Sequence, residues 1–245
     1  MGNKVNILGV KVDKVNIPSV VRKIMKFIDC EGNRVVYTPN SEMIMQAYRN
    51  DDFKNVLNSA DIVTADGIGV VYASKILKNP ISERCSGYDI ACELLKHLEK
   101  SGKSVYLFGS KPGVPETAKV NIIKKHPKLN VVGVSNGYFD EKREQEIIND
   151  INEKNPDVVF VCLGVPKQEY WIYNHKNQLN AKVFIGLGGT LDVFAGNVKR
   201  APDIYIKLGL EWLYRLIKEP KRFIRMLDLP KFAMTVILKG KKYEQ

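Results

Sequence analysis

Short apolar runs alternate with longer stretches of helical period along most of this chain. Strands are expected at residues 5–10, 34–38, 61–65, 104–108, 130–134, 157–163 and 182–186. Helices are expected between them, at 17–29, 41–58 (in one piece or two), 87–100, 114–126, 141–153 and 167–177. Ile90, Leu94 and Leu98 recur every four residues, the spacing of one helix face. The runs Val-Val-Phe-Val-Cys-Leu at 158–163 and Val-Phe-Ile-Gly-Leu at 183–187 have no polar alternation, as suits strands covered on both sides.

Strands alternating with helices predict an α/β fold with a mostly parallel, Rossmann-like sheet and helices on both faces. Such sheets bind ligands outside the carboxyl ends of their strands. Small or polar clusters follow five of the expected strands: Thr38-Pro39-Asn40, Asp66-Gly67, Gly109-Ser110, residues 164–168, and residues 186–190. Five such clusters on one rim favour a ligand site over plain turns.

From Pro202 the pattern changes. Ile204, Leu208, Trp212 and Leu216 form one row at i+4 spacing, and Lys207, Glu211, Arg215 and Lys218 lie beside it. This reads as an amphipathic helix that Pro220 ends, with a second break expected at Pro230. The apolar stretch 232–238 is far shorter than the ~20 residues needed to span a bilayer. The division expected is therefore an α/β core over 1–195 and a basic helical C-terminal appendage over 196–245.

Charge sharpens the picture of that appendage. The chain of 245 residues carries a net charge of +11. Residues 196–245 hold twelve Lys or Arg against five Asp or Glu. An acidic partner is implied, whether nucleic acid, anionic lipid or a phosphorylated substrate. Nucleic acid is disfavoured because the tail aromatics fall largely on the apolar row, not among the basic residues. A basic helix with Trp, Phe and Leu opposite its cations suits a membrane interface. The plain alternative is a helical subdomain docked on the core, and the exposed face could equally meet a second copy of the chain. The four cysteines share no C-x-x-C spacing and are expected as reduced thiols. The N-terminus has no long apolar segment of the secretory kind, so a cytoplasmic location is expected.

Several residues could carry chemistry, each with a plainer role beside it. Asp66 follows the strand 61–65, where a carboxylate can act as general base on a hydroxyl, or simply cap a helix. The glycines of 186–190 would let backbone approach a phosphate, or merely form a tight turn. Asp192 could bind a sugar hydroxyl or serve as a cap. Lys167 could face a phosphate and Gln168 a sugar, while Glu169 is expected in a helix first turn on electrostatic grounds alone. Asp-x-Asp, the metal-diphosphate clamp of many sugar transferases, is absent, and His97, His126 and His175 have no metal-like spacing. No metal site and no cofactor are expected.

Five stretches together resemble the WecG/TagA/CpsF glycosyltransferases, and most closely the TagA branch. They are Thr38-Pro39-Asn40, the run from Thr64 to Gly69, the run from Glu83 to Asp89, the run from Leu163 to Glu169, and the run from Gly186 to Gly196 continuing through Arg200-Ala201-Pro202 to Arg215 and Glu219-Pro220. The resemblance implies an inverting, metal-independent transfer of N-acetylmannosamine from a UDP-sugar donor. The acceptor would be the 4-hydroxyl of N-acetylglucosamine on an undecaprenyl diphosphate, priming wall teichoic acid. It implies Asp66 as general base. It places Thr38, Asn40, Arg84 and Gln168 around the sugar and Gly189, Thr190 and Asp192 toward the nucleotide. Arg215, Arg222 and Arg225 would come from the appendage to complete the site. Donor identity stays open between N-acetylmannosamine, its uronic acid and another UDP-sugar, and a non-catalytic, membrane-associated nucleotide-sugar binder remains the rival.

Overall fold

The computed structural model describes residues 4–218 and 227–243. The first elements are a hairpin, β1 (Lys4–Ile7) and β2 (Val10–Asp13), where the apolar pattern predicts one strand over 5–10. The reason is the turn. Leu8 and Gly9 both take positive φ, and the Asn6 side chain accepts the Gly9 N–H at 2.9 Å. Leu8 is buried there, so hydropathy alone gives no sign of the reversal.

Helix α1 (Ile17–Ile28) starts at a reciprocal capping box between Asn16 and Ser19. After β3 (Arg34–Tyr37), the helical stretch divides into α2 (Ser41–Arg49) and α3 (Asp51–Asn58). Extended Asn50 ends the first helix and caps the second by accepting the Phe53 N–H. Strand β4 (Ile62–Val63) is short, but its pairing with the β3 side continues through Thr64 N–H to Tyr37 O and Asp66 N–H to Pro39 O. Helix α4 (Ile68–Ile76) begins at Gly67, whose φ of +98° turns the chain sharply. Periodicity does not announce α4, because its residues are apolar nearly all round.

The remaining core elements run α5 (Gly87–Ser101), β5 (Ser104–Gly109), α6 (Val114–Lys125), β6 (Asn130–Ser135), α7 (Glu141–Lys154), β7 (Val158–Cys162), α8 (Lys167–His175), β8 (Val183–Gly186) and α9 (Thr190–Ala195). A 3-10 turn (Lys176–Gln178) follows α8, so the expected helix 167–177 ends in a tightened turn. Among the described residues, six strands form one parallel sheet in the order β4-β3-β8-β7-β5-β6. Successive side chains of a strand point to opposite faces. Val159, Val161, Tyr106, Phe108 and Phe184 accordingly join one core cluster, and Val158, Phe160, Val105, Leu107, Val183 and Ile185 join the other. Both faces are buried, and this is why the strands read as unbroken apolar runs. Because every strand of this sheet runs the same way, all their carboxyl ends meet on one rim.

After Gly196 the chain forms α10 (Asp203–Lys207), α11 (Glu211–Lys218) and α12 (Asp228–Lys239), then a 3-10 turn (Gly240–Tyr243). The single amphipathic helix expected from Pro202 onward is broken at Gly209, which has φ +71°. A Cβ there would sit 3.0 Å from Ile68 of α4, so the bend is also a close approach to the core. The break expected at Pro220 lies outside the described residues, and Pro230 does not break a helix. It lies in the first turn of α12, where no intrahelical N–H is needed. Phe232 and Val236 of α12 are buried against α2 and α4, and Arg49 pairs with Asp228 at 2.8 Å. Met234, Ile237 and Leu238 on the same helix face outward. No helix among the described residues is long and apolar enough to cross a membrane.

Candidate active site

Two neighbouring hollows lie on the rim at the strand ends. One is a polar cleft of about 740 Å³ whose wall includes Thr38, Asn40, Asp66, Gln168, Gly188, Gly189, Thr190, Asp192 and Arg200. The other is a groove of about 670 Å³ between α4 and the C-terminal helices, lined by Ile68, Tyr72, Ile76, Leu208, Trp212 and Phe232 together with Arg84. Asn40, Glu42, Asp66 and Glu211 line both. Asp66 therefore stands where a polar chamber meets an apolar one.

The local fold sets Asp66 firmly. Its own N–H is held by Pro39 O, and its Oδ2 accepts the N–H of Gly87, the first residue of α5, at 3.3 Å. Across the cleft, Gly188 has φ +55°, and a Cβ on Gly188 or on Gly189 would meet nothing within 4 Å. That open backbone can be approached closely by a ligand. Thr38 Oγ1 donates to Gly186 O at 3.0 Å, and Thr190 Oγ1 donates to Leu187 O at 2.7 Å, so both hydroxyls tie down the β8 turn. Asn40 caps α2 by accepting the Met43 N–H. Asp192 accepts the Ser110 hydroxyl at 2.8 Å, and Ser110 itself holds a left-handed φ of +59° at the end of β5.

Of the residues expected at the site, Asp66, Thr38, Asn40, Gln168, Gly189, Thr190 and Asp192 thus come together along the polar cleft, while Arg84 lines the adjoining groove. Arg84 is ion-paired to Glu211 of α11 and lies 3.2 Å from Asp89. Burial by itself would lower its pKa. The hydrogen bond to Glu211 and the charges of Asp66, Glu211 and Asp89 instead hold it above the ordinary arginine value. Arg215 belongs to α11, and Arg222 and Arg225 lie outside the described residues.

Sequence reasoning missed part of the constellation. Asp89 is a hub: it accepts the Ser86 hydroxyl and pairs with both Arg84 and Arg200. The Arg200 guanidinium sits 4.8 Å from the Tyr88 ring centroid. The motifs containing these residues were visible, but their pairing spans 111 positions and has no local signal. Glu169 is the clearest departure. It occupies a helix first turn, as expected, yet it is wholly buried, and desolvation pushes its pKa up to about 7.

An open parallel sheet with a glycine-walled polar cleft and a carboxylate at its mouth defines an α/β protein built to act on a polar ligand at the sheet rim. The family model "Glycosyl transferase WecG/TagA/CpsF family" matches residues 5–245, and the chain belongs to that family. It is 40% identical over 227 residues to the N-acetylglucosaminyldiphosphoundecaprenol N-acetyl-beta-D-mannosaminyltransferase of Bacillus subtilis (strain 168), covering 92% of this chain and 88% of the relative. Proteins of the same name from Bacillus spizizenii (38% over 211 residues, 86% and 81% covered) and Staphylococcus aureus strain MRSA252 (36% over 241 residues, 98% and 94% covered) are also similar.

Proposed function

We propose that this enzyme transfers N-acetylmannosamine from UDP-N-acetylmannosamine to the 4-hydroxyl of N-acetylglucosamine on diphosphoundecaprenol. The β-1,4-linked product is an early intermediate of wall teichoic acid synthesis. The observation that carries the reading is the position of Asp66, shared by the polar cleft and the apolar groove. A nucleotide-sugar belongs in the first and the lipid-linked acceptor reaches the same carboxylate from the second.

In this reading Asp66 accepts the proton of the acceptor hydroxyl as that oxygen attacks the anomeric carbon. The bond to the UDP oxygen breaks on the opposite side, which inverts the centre. Negative charge develops on the departing diphosphate, so donors aimed at it lower the barrier. The backbone at Gly189, beside the Gly188 N–H that Gln168 holds, and the arginines Arg215, Arg222 and Arg225 of the appendage serve that role. Thr38, Asn40, Arg84 and Gln168 bound the sugar, and Gly189, Thr190 and Asp192 lie toward the nucleotide. The division into a catalytic core, 1–195, and an appendage, 196–245, follows from this assignment. The appendage completes the site and rests on the anionic inner face of the cell membrane through its exposed apolar residues. A second chain is the competing occupant of that face.

The test is transfer by the purified protein from candidate UDP-sugars to a short-chain N-acetylglucosaminyl diphospholipid, with and without EDTA. Transfer from UDP-N-acetylmannosamine, unchanged by EDTA, is expected. Preference for the uronic acid donor would reassign the sugar, and no transfer from any UDP-sugar would leave a binding protein.

A further inference from the structure

Gln168 and Glu169 open α8 side by side, and both side chains are buried against the β8 turn. Gln168 Nε2 donates to Glu169 Oε1 at 2.6 Å, and Gln168 Oε1 accepts the Gly188 N–H at 2.9 Å. The two bonds form a short chain from a buried carboxyl, through an amide, to the backbone of the glycine turn. Gly186 makes room for it: a Cβ there would lie 3.1 Å from Gln168 Nε2 and 3.4 Å from Glu169 Oε1. Tyr37 covers the same spot, its hydroxyl donating to Glu169 O at 3.0 Å.

A buried carboxyl with one oxygen in use is an expensive way to fill space. Among the described residues, Glu169 Oε2 has no hydrogen-bond partner. Stability therefore gives no reason for a carboxyl here, but geometry does. An amide turned by 180° would set its NH₂ against the Gly188 N–H, donor to donor, and its oxygen against the Glu169 oxygen. An acceptor at Glu169 Oε1 rejects that rotamer. It keeps the Gln168 carbonyl oxygen on the Gly188 N–H at the wall of the cleft that both residues line.

We infer that Glu169 is a positioning residue for the transfer reaction, fixing the Gln168 amide in the one orientation that holds the Gly188 N–H and so shapes the donor side of the cleft. This rests on the reading of the cleft as a nucleotide-sugar site. Glu169 touches no substrate. It acts through Gln168, and the acceptor side should not feel its loss.

The experiment compares Glu169→Met, Glu169→Gln, Gln168→Met and the double variant Glu169→Met/Gln168→Met in the full chain. Melting temperature, UDP binding by calorimetry, and kcat and KM for each substrate are measured. Glu169→Met is expected to melt at or above the wild-type temperature, yet to lose about tenfold or more in donor kcat/KM with acceptor KM unchanged. Glu169→Gln, whose carbonyl oxygen can accept the same bond, should stay within about threefold of wild type. The double variant should be no worse than Gln168→Met alone. Wild-type donor kinetics in Glu169→Met, or losses that simply multiply in the double variant, would overturn the inference. If Glu169→Met does not fold, Glu169→Asp decides, since it withdraws the oxygen by one methylene and must show the same donor-selective loss. A wild-type enzyme that fails to bind UDP would overturn the donor reading itself, a result distinct from UDP bound equally by wild type and variant.

Discussion

Arg84 and Glu211, 127 positions apart in sequence, form an ion pair that joins the loop before α5 to the first turn of α11. Both side chains are mostly buried, at 17% and 15% exposure. Asp89 shares Arg84 and also holds Arg200, so one carboxylate and one guanidinium link the core to two points of the C-terminal segment. A contact of this kind ties the docking of α11 to the loop before α5.

Glu211→Ala is therefore expected to loosen α11. In a double-mutant cycle with Arg84→Ala, the two changes should show a coupling of about 1–3 kcal/mol in unfolding free energy, the range for residues in direct contact. Limited proteolysis should cut the variant faster near residues 209–218. Additive effects in the cycle would show that the pair is a passive surface contact.

Asp66→Asn keeps the shape of the side chain and removes its basicity. Turnover is expected to fall by about 10²–10⁴ while UDP binding stays within twofold or so of wild type. Single-turnover kinetics with bound donor would separate the two quantities. Near-normal turnover would remove Asp66 as the base.

Truncation after Gly196 is expected to abolish transfer and leave a folded core. The structure adds a second consequence. Losing Phe232 and Val236 uncovers their contacts on α2 and α4, so the truncated core should melt several degrees lower than the full chain. Circular dichroism and the transfer assay check the two parts independently, and full activity of the truncated chain on the lipid acceptor would exclude the appendage from the site.

The proposed attachment of α12 to the membrane predicts a face-specific effect. Met234, Ile237 and Leu238 are exposed, whereas Phe232 and Val236 are committed to the core. Ile237→Ser with Leu238→Ser should reduce co-sedimentation with anionic vesicles while leaving the melting temperature nearly unchanged. Unaltered sedimentation, combined with a change in oligomeric state, would assign this face to a second copy of the chain.

Burial of Glu169 gives stability a pH dependence of definite sign. The carboxyl has its ordinary value of 4.5 when unfolded, and burial pushes it up to about 7 when folded. Between those values the folded chain binds more protons than the unfolded one, so stability falls as pH rises through that window and levels off above it. The penalty at neutral pH is on the order of 3 kcal/mol, and Glu169→Gln should abolish that part of the slope. Chemical denaturation at pH 5 and pH 7.5 on both proteins measures it.

The sheet was legible because strands buried on both faces leave continuous apolar runs, and the rim clusters were legible because a parallel sheet sends every strand end the same way. What escaped detection depends on partners distant in sequence or on backbone rather than side chains. The β1–β2 reversal hides behind buried Leu8, and α4 hides behind its all-round apolar surface. Gly209 sits inside an otherwise regular amphipathic row, and only its approach to Ile68 makes it a bend. The same holds at the site. Gln168 stands in a motif, but its neighbour Glu169 reads as an ordinary first-turn acid, because its burial beside Gly186 and Tyr37 depends on partners distant in sequence.

The placement of Asp66 on a wall common to a wet cleft and an oily groove also affects how rate should be measured. A donor dissolved in water is counted per volume, whereas an acceptor held in a lipid sheet is counted per area. An enzyme whose proposed base faces both works at the boundary between two phases. Diluting its acceptor among other lipids should slow it even when the number of acceptor molecules in the tube is unchanged, and adding more water at constant donor concentration should not.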